Sequence, residues 1–405
     1  MWNNLQLAVA IIVAIAAQTT ASGCFNDRSN EIAAKGSKYD KVLYNKQIDF
    51  SLRLFERINA AYGHKNVFFS PHSTYHSLLL ALFMSQNVTL MKLKRALRIP
   101  NDWTKIDVYD AYQTDKIKLI ETSNDKVSFK SANRIYLQKD LEVRPCIGQL
   151  FVDDLERVDF TQNPGLARDL INNWVQNYTN DMIRNLLPES AISHLTQLVL
   201  VNAAHFKGKW KHQFKEVDTK PEVFYENSER KTMTKMMHFN KTLNYGVIDE
   251  LDVLVLELPY DDEFTSMFIL LPFKRSKKQF GKLLRKIDSE AMQKILDGSS
   301  LNPTLVNVKI PKFEIEQEID LRSVLEQSEI GDLFSSSADL SEFTGKRELG
   351  LDGAIHKAKI IVNEEGTEAA AATAMFGFRS SRPSEPTMFH CNGPFIYMIY
   401  HAEMR

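Results

Sequence analysis

The sequence predicts an α+β fold, because helical patterns come first and strand patterns gather in the second half. Apolar residues recur at helical spacing in residues 48–61 and 166–177, and residues 73–84 are apolar almost throughout. Runs typical of strands follow from residue 198 onward. Helices and strands segregated in this way favour α+β over an alternating parallel fold. A hydrophobic fraction of 44% allows a large core, so composition gives no reason to expect disorder.

The three helical segments differ in how much surface they should bury. Residues 166–177 carry an apolar side, with Leu170, Ile171 and Trp174 on it, and a polar side, which predicts an amphipathic helix. Residues 48–61 show the same spacing. Residues 73–84 are apolar all round, so this helix is expected to be buried.

Six segments have the pattern of strands, and two of them predict a hairpin. The segments are residues 198–201, 251–258, 266–271, 306–315, 358–362 and 395–400. Asp261 and Asp262 supply turn residues between the second and the third, which we therefore expect to pair. Residues 395–400 are apolar on both faces, as is typical of a central strand.

The first 23 residues predict a secretory signal peptide, so we expect a secreted, extracellular protein. An apolar run over residues 5–17 is too short to span a bilayer and is followed by small residues suited to cleavage. Residues 24–45 are polar and are expected to form a loose lead-in, with one domain over 46–405. Glycosylation sequons, which agree with export, begin at Asn87, Asn177 and Asn240.

The cysteines leave their pairing open. Cys24, Cys146 and Cys391 are an odd number for an exported protein, and their spacing fits neither a disulfide framework nor a metal site. One disulfide with one free thiol and three unpaired thiols are both compatible with the sequence.

Charge points to no nucleic-acid or membrane partner. The formal net charge is −1 at pH 7, so no global attraction to polyanions is expected. A short basic run is formed by Lys92, Lys94, Arg95 and Arg98. This run predicts a solvated helix face, with a weak site for an acidic polysaccharide as the alternative.

No catalytic motif is found in the sequence. It has no Gly-x-Ser-x-Gly elbow, His-Glu-x-x-His pair, Walker loop, dinucleotide glycine pattern or Cys-x-x-Cys pair. We therefore expect no enzyme, no cofactor and no metal. His72 and His76 lie close together on one apolar helix, for which core packing is the favoured interpretation over metal binding.

The most informative segment is an alanine-rich stretch near the end of the chain. Its residues are Glu364, Glu365, Gly366, Thr367, Glu368, Ala369, Ala370, Ala371, Ala372 and Thr373. Taken alone, the composition predicts a short helix capped by Thr367. Read with a period of two, however, one face carries only Thr367, Ala369, Ala371 and Thr373. Such small side chains would let the segment enter between two packed strands.

Several segments, in order along the chain, together resemble the serpin family. They are residues 66–73 (NVFFSPHS), 200–210 (LVNAAHFKGKW), 256–260 (LELPY), 310–313 (IPKF), 338–341 (ADLS), 356–358 (HKA) and the alanine-rich stretch. The resemblance runs from about residue 46 to 400. The resemblance changes the interpretation of the alanine-rich stretch. We now interpret it as a mobile hinge, a segment that can enter the sheet as a strand, and no longer as a helix.

The resemblance implies a fold and a mechanism. The fold is three β-sheets with about nine helices and an exposed reactive-centre loop over about 364–388. The mechanism is that of a suicide inhibitor: a serine protease cleaves the loop, forms an acyl-enzyme and is trapped when the hinge inserts into the central sheet. We expect a monomer that forms a covalent complex with a trypsin-like protease. The small hinge residues favour this over a non-inhibitory carrier or chaperone.

The resemblance also assigns supporting residues. Ser70, Ser73, Asn202 and His356 match a hydrogen-bonded cluster under the sheet where the strands part. Trp210, Lys312 and Glu364 match the region where insertion begins, with Lys312 and Glu364 expected to form an ion pair.

The cleaved bond has two leading candidates. The usual family spacing from Glu364 reaches Ser380, which implies cleavage between Ser380 and Ser381. One residue fewer gives Arg379–Ser380, and a basic residue suits the Asp-bottomed pocket of trypsin-like proteases. We favour Arg379, with Arg382 as a third alternative.

The end of the chain departs from the family pattern. Family members add a last buried strand after the segment that corresponds to residues 392–400, whereas this chain stops at Arg405. We therefore expect the strand over 395–400 to lack a neighbour. The overall pattern is similar to that of invertebrate haemolymph serpins that restrain immune or clotting cascades.

Overall fold

The computed structural model describes residues 24–25, 36–63, 65–227, 229–274, 276–345, 349–366 and 385–402. Its contacts divide the chain into two compact units. The first unit takes the described residues of Met1–Thr122, Lys130–His205 and Glu316–Lys359, and the second those of Ser123–Phe129, Phe206–Ile315 and Ile360–Arg405.

Ten α-helices occur within the described residues, and they include all three that the sequence predicted. In chain order they are α1 (Gly36–Tyr62), α2 (Pro71–Met84), α3 (Asn87–Ala96), α4 (Lys105–Thr122), α5 (Pro145–Leu150), α6 (Pro164–Tyr178), α7 (Lys277–Lys286), α8 (Ser289–Leu296), α9 (Leu321–Leu325) and α10 (Ser341–Thr344). The predicted segments 48–61, 73–84 and 166–177 lie within α1, α2 and α6.

Helix α2 is the buried helix of the first unit. Ser70 caps its start, with the side chain accepting a hydrogen bond from the Ser73 N–H at 3.1 Å, and Pro71 occupies the first turn. Every residue from Ser73 to Met84 is buried, as the apolar sequence predicted. The helix is therefore fixed in the core, with its first turn carrying polar side chains.

Five strands form one sheet in the order β2-β1-β3-β10-β9. They are β1 (Val127–Gln138), β2 (Leu155–Val158), β3 (Leu198–Gly208), β9 (Phe313–Asp320) and β10 (Gly353–Val362). Strands β3 and β10 are directly paired and parallel, with Gly353 opposite Val199 and Lys359 opposite His205. These two strands form the central parallel pair of this sheet.

The other strands form a seven-stranded sheet. They are β4 (Lys220–Tyr225), β5 (Lys231–Ile248), β6 (Val253–Pro259), β7 (Thr265–Pro272), β8 (Asn302–Pro311), β11 (Thr387–His390) and β12 (Ile396–His401). The predicted hairpin is confirmed as β6 and β7. The described strands make two sheets rather than three, because β5 pairs with β4 and β8 over its first part and with β6 at its end.

Two predictions about local structure were wrong. The segment 24–45 is not a loose lead-in where it is described: Cys24 and Phe25 are buried, and α1 begins at Gly36. The predicted strand 306–315 is two strands, β8 and β9, which pair with different neighbours. The apolar pattern continues through both strands, so it could not show where the chain changes sheets.

The cysteines form one disulfide and leave one thiol. Cys24 and Cys146 are bonded, and Cys391 is free and buried. Burial raises the pKa of the Cys391 thiol, so the thiol stays protonated.

Strand β12 lies at an edge of its sheet, paired with β7. Within the described residues, none of the helices combines the length and the apolar character needed to cross a membrane.

Candidate hinge and sheet-opening site

A buried imidazole, His356, joins strand β10 to its neighbours in the first unit. His356 has no exposed surface, and its Nε2 accepts a hydrogen bond from the Ser70 N–H at 3.0 Å. Its Nδ1 contacts the side-chain oxygen of Asn202, the residue directly opposite on β3. Burial lowers the pKa of His356 to about 3. The ring is therefore neutral near pH 7, with Nδ1–H donating to Asn202 and Nε2 accepting.

Asn202 extends these contacts to α2 and β1. Its side-chain Nδ2 donates to Ser73 Oγ at 2.5 Å and also to Asn133 Oδ1. Asn133 Oδ1 accepts from Ser77 Oγ at 3.0 Å, and Ser131 Oγ donates to Ser73 Oγ at 2.8 Å. We call this set of residues the polar cluster: Ser70, Ser73, Ser77, Ser131, Asn133, Asn202 and His356. It ties one helix to three adjacent strands, so β3 and β10 cannot separate without breaking it.

The second unit contains a tight reversal of the chain just after β10. The Asn363 N–H donates to the Gly366 carbonyl at 2.9 Å, and Asn363 Oδ1 accepts from the N–H groups of Glu365 and Gly366 at 3.1 Å. An asparagine side chain that binds backbone two and three residues on is typical of a turn. We call residues Asn363 to Gly366 the hinge base.

Trp210 and Phe214 hold the hinge base by backbone contacts. The Trp210 N–H donates to the Glu365 carbonyl at 2.9 Å, and its indole Nε1–H donates to the Asn363 carbonyl at 3.0 Å. The Phe214 N–H donates to the Glu364 carbonyl at 2.8 Å. The indole is itself buried and stacks on Tyr260, with ring centroids 4.4 Å apart. The hinge base is therefore hydrogen-bonded to a tryptophan that is itself fixed by packing.

Gly366 is the one position of the hinge base where only glycine fits. Its φ is +140°, and it forms an antiparallel bridge with Lys209, which follows directly after β3. A Cβ atom at Gly366 would lie 2.0 Å from the Gly208 carbonyl oxygen and 2.6 Å from the Cα of Lys209. Because both are backbone atoms, no side-chain movement could make room.

The expected ion pair between Lys312 and Glu364 is present. Lys312 Nζ lies 2.7 Å from a Glu364 carboxylate oxygen, and Thr219 Oγ1 donates to the other at 2.9 Å. Burial opposes ionisation of Glu364, but the hydrogen bonds from Lys312 and Thr219 hold the pKa of this carboxyl below its ordinary value. The lysine side chain is 41% exposed and the glutamate side chain 6%, so solvent reaches the pair from one side only.

The structure thus separates the predicted supporting residues into two groups. Ser70, Ser73, Asn202 and His356 belong to the polar cluster, and Trp210, Lys312 and Glu364 surround the hinge base. The hinge residues Thr367, Glu368, Ala369, Ala370, Ala371, Ala372 and Thr373 lie outside the described residues, as do Arg379, Ser380, Ser381 and Arg382. Their roles stay predictions.

Five contributing residues were missed from the sequence: Ser77, Ser131, Asn133, Thr219 and Asn363. Ser131 and Asn133 are two positions apart and share a strand face, a weak signal for a polar pair that faces a packed neighbour. Asn363 directly before Glu364, Glu365 and Gly366 could have indicated a turn.

The remaining predicted sites lie on the surface. Asn87, Asn177 and Asn240 are exposed. The basic run contacts carboxylates for the most part: Lys92 pairs with Asp332 at 2.7 Å, and Arg98 with Asp49 at 2.5 Å. These pairs leave less free positive charge on the basic run than the sequence alone indicates.

A parallel central pair of strands, a largely buried polar cluster and a glycine-dependent reversal just after β10 define the class of protein. The family model described as serpin, or serine protease inhibitor, matches residues 45–405. The chain therefore belongs to the serpin family.

Individual relatives agree with this assignment. The chain is 34% identical over 382 residues to serine protease inhibitor 88Ea of Drosophila melanogaster, covering 90% of this chain and 88% of that protein. The crystal structure of Serpin48, described as a highly specific serpin of the insect Tenebrio molitor, matches with a TM-score of 0.76 and 28% identity, covering 89% and 95% of the two chains. Human thyroxine-binding globulin complexed with its ligand matches with a TM-score of 0.78 at 24% identity, covering 92% and 96%, which shows the common fold alone.

Proposed function

We propose that this chain is a secreted suicide inhibitor of a trypsin-like serine protease, cleaved at Arg379–Ser380. The observation that carries the proposal is the hinge base, where the chain has reversed after β10 and Gly366 bridges antiparallel to Lys209. A reversal of this kind would serve as the first step of an added strand.

The topology of the sheet makes insertion favourable. Strands β3 and β10 are parallel to each other, and a chain that reverses after β10 runs antiparallel to both. A hinge strand between them would replace one parallel ladder with two antiparallel ladders. Antiparallel pairing is slightly more stable per residue, and the number of ladders doubles. Small residues at Thr367, Ala369, Ala371 and Thr373 would meet the packed interior without overlap.

The covalent chemistry belongs to the protease. Its serine oxygen attacks the Arg379 carbonyl carbon, the bond to the Ser380 nitrogen breaks, and that nitrogen leaves as a new amine after taking a proton from the protease histidine. The ester between the protease serine and Arg379 remains. Insertion of the hinge then drags the attached protease across the molecule and distorts its active site, so that water no longer hydrolyses the ester. The chain contributes no catalytic turnover of its own.

Export is supported by the covalent structure. Disulfides persist in oxidising compartments, and Cys24 lies directly after the proposed signal peptide and is bonded to Cys146. The sequons at Asn87, Asn177 and Asn240 lie at exposed positions. We therefore place the chain outside the cell, as a monomer that acts in an immune or clotting cascade.

The alternative function is that of a non-inhibitory carrier or chaperone. Thyroxine-binding globulin, with the same fold, was solved with thyroxine bound. For this chain the alternative requires that loop cleavage lead neither to a trapped protease nor to a more stable protein.

Mixing the chain with trypsin and with an elastase tests the proposal. We expect an SDS-resistant complex with trypsin, a released peptide beginning at Ser380, and a higher melting temperature after cleavage. Arg379→Ala should slow complex formation with trypsin by roughly 100-fold or more, whereas Arg382→Ala, the matched loss of a nearby basic residue, should leave it unchanged.

Other outcomes would each reject part of the proposal. A complex with elastase that survives Arg379→Ala would move the cleaved bond to Ser380–Ser381. Cleavage without complex or stabilisation would reject the inhibitor and favour the carrier.

A further inference from the structure

Three side chains of the first unit converge on one point outside the hinge and the polar cluster. His72 and His76 lie one turn apart on α2, and Asp115 faces them from α4. The Nε2 atoms of His72 and His76 lie 2.9 Å and 2.5 Å from the same Asp115 oxygen, Oδ2. All three ligand atoms lie within 4.8 Å of one another. The interpretation of the two histidines as core packing is therefore incomplete, because both rings aim one nitrogen at a shared carboxylate.

We propose that His72, His76 and Asp115 bind a Zn²⁺ ion, or a divalent transition metal of the same preference, with a fourth position open to water. Two imidazole nitrogens and one carboxylate oxygen form a donor set that zinc accepts in proteins when it keeps one open position. Histidines four positions apart on a helix present both rings on the same side.

The ligand atoms need only small movements. Zinc bonds of about 2.0–2.2 Å place tetrahedral ligand atoms about 3.3 Å apart. His72 and His76 currently lie closer than this to Asp115, so each ring must move outward by less than about 1 Å to admit the ion. Each Nε2 now donates its proton to Asp115, so on binding each ring carries its proton on Nδ1 instead.

The surroundings hold two ligands firmly and leave the third accessible. The His76 side chain is 3% exposed and its ring packs on Tyr112, with centroids 5.1 Å apart. The His72 side chain is 24% exposed, so an ion can enter from that side. Lys116 is the neighbouring cation, and its ammonium group lies 2.9 Å from a carboxylate oxygen of Asp154. The negative charge of Asp154 offsets the repulsion between Lys116 and a metal ion.

A bound ion would act on the helix that carries the polar cluster. Ser70 and Ser73 begin α2, and the metal would link the same helical turn to α4. A ligand that binds the folded chain and not the unfolded chain raises stability in proportion to the logarithm of its concentration. We therefore expect zinc to raise the melting temperature of the uncleaved protein.

The test uses the full chain without a histidine tag, freed of metal by a chelator. We expect Co²⁺ to give the visible absorption of a tetrahedral nitrogen and oxygen site, and Zn²⁺ to displace it in a ratio of one ion per chain. His72→Gln should weaken Zn²⁺ binding by at least about tenfold and abolish the rise in melting temperature. The matched control is His194→Gln, which removes an exposed histidine elsewhere in the same unit.

Two results would overturn the site. One is a folded, metal-free protein that shows neither cobalt absorption nor a zinc-dependent rise in melting temperature. The other is a His72→Gln variant that binds zinc as tightly as the His194→Gln control. Asp115→Asn, which keeps a hydrogen-bond acceptor but loses the charge, should behave as His72→Gln does. Because His72 is partly exposed, its variant should fold even if Asp115→Asn does not.

Discussion

The polar cluster of the first unit and the hinge base of the second are held by different physical means. In the cluster, buried neutral groups satisfy one another, and His356 stays uncharged at ordinary pH. At the hinge base, backbone hydrogen bonds are combined with an ion pair whose lysine is 41% exposed. Five of the seven cluster residues are buried, so removing a partner there leaves unpaired polar atoms, whereas water can replace a partner lost from an exposed pair. The cluster should therefore be the more costly to disturb.

The largest effect is expected from Asn202→Ala in the polar cluster. The change leaves His356 Nδ1, Ser73 and Asn133 without the amide that joins them. We expect the free energy of unfolding, measured by urea titration, to fall by about 3–4 kcal/mol. Asn244→Ala is the matched control, because Asn244 is an exposed strand asparagine bound to Glu257, and it should cost less than about 0.5 kcal/mol. Equal losses in the two variants would contradict the difference drawn between buried and exposed partners.

A somewhat smaller loss is expected from Gly366→Ala at the hinge base. The added Cβ meets the backbone of Gly208 and Lys209, so the reversal must open. We expect a loss of about 2–3 kcal/mol in the uncleaved protein, with a change in tryptophan fluorescence because Trp210 contacts the turn.

The control for Gly366→Ala is a glycine-to-alanine change that should raise stability instead of lowering it. Gly281 lies in α7 with room for a Cβ, the nearest atom being the Arg285 Nη1 at 3.7 Å, so Gly281→Ala should stabilise by about 0.5–1 kcal/mol. A Gly366→Ala protein as stable as wild type would mean that the turn is not part of the resting fold.

Acid should reveal the neutral state of His356. The pKa of His356 in the fold is about 3, below its ordinary value of 6.5, so its contribution to stability is complete above pH 6.5. As the pH falls from 6.5 towards 3, the unfolded chain takes up a proton that the folded chain excludes. Stability should then decrease by up to about 1.4 kcal/mol per pH unit, or about 2 kcal/mol by pH 5.

The test compares the pH dependence of unfolding in two variants. His76, whose pKa burial also lowers, contributes with the same sign, so wild type alone is not decisive. His356→Gln should flatten the slope between pH 6.5 and 5, and the exposed-site control His194→Gln should not. An unchanged slope in His356→Gln would mean that this ring is not held neutral.

The two regions also differ in how far the sequence could predict them. His356, Asn202 and Ser70 stand in segments with strong family patterns, and their contacts were expected. Ser131 and Asn133 were missed because a short polar pair on a strand looks like a solvated face until α2 is packed against it. The Lys312–Glu364 pair was expected as well, whereas the roles of Thr219 and Asn363 depend on backbone geometry that the sequence pattern does not encode.

The same limit explains the larger differences in fold. The bond between Cys24 and Cys146 joins residues 122 positions apart, so their pairing depends on the packing of the first unit. The long strand β5 alternates irregularly between buried and exposed positions because it faces several neighbours, and the sequence reading did not find it. Hydrophobic periodicity thus predicts a helix or strand best where one face of that element packs against a single neighbouring surface.

The smallest effect should come from Lys312→Met. The lysine is half in solvent, so its loss removes one hydrogen bond to Glu364 while Thr219 and water keep the carboxylate partly satisfied. We expect a loss of about 1 kcal/mol at low salt, larger than the loss for the exposed surface pair broken by Lys294→Met, since the Glu364 side chain is only 6% exposed. Added salt screens the exposed side of the pair, so the difference between wild type and Lys312→Met should shrink towards 1 M salt. The loss caused by Asn202→Ala should stay constant over the same range, because no charge is involved. A salt-independent loss in Lys312→Met would mean that the lysine acts through packing of its stem, and the charged character assigned to the hinge base would then be wrong.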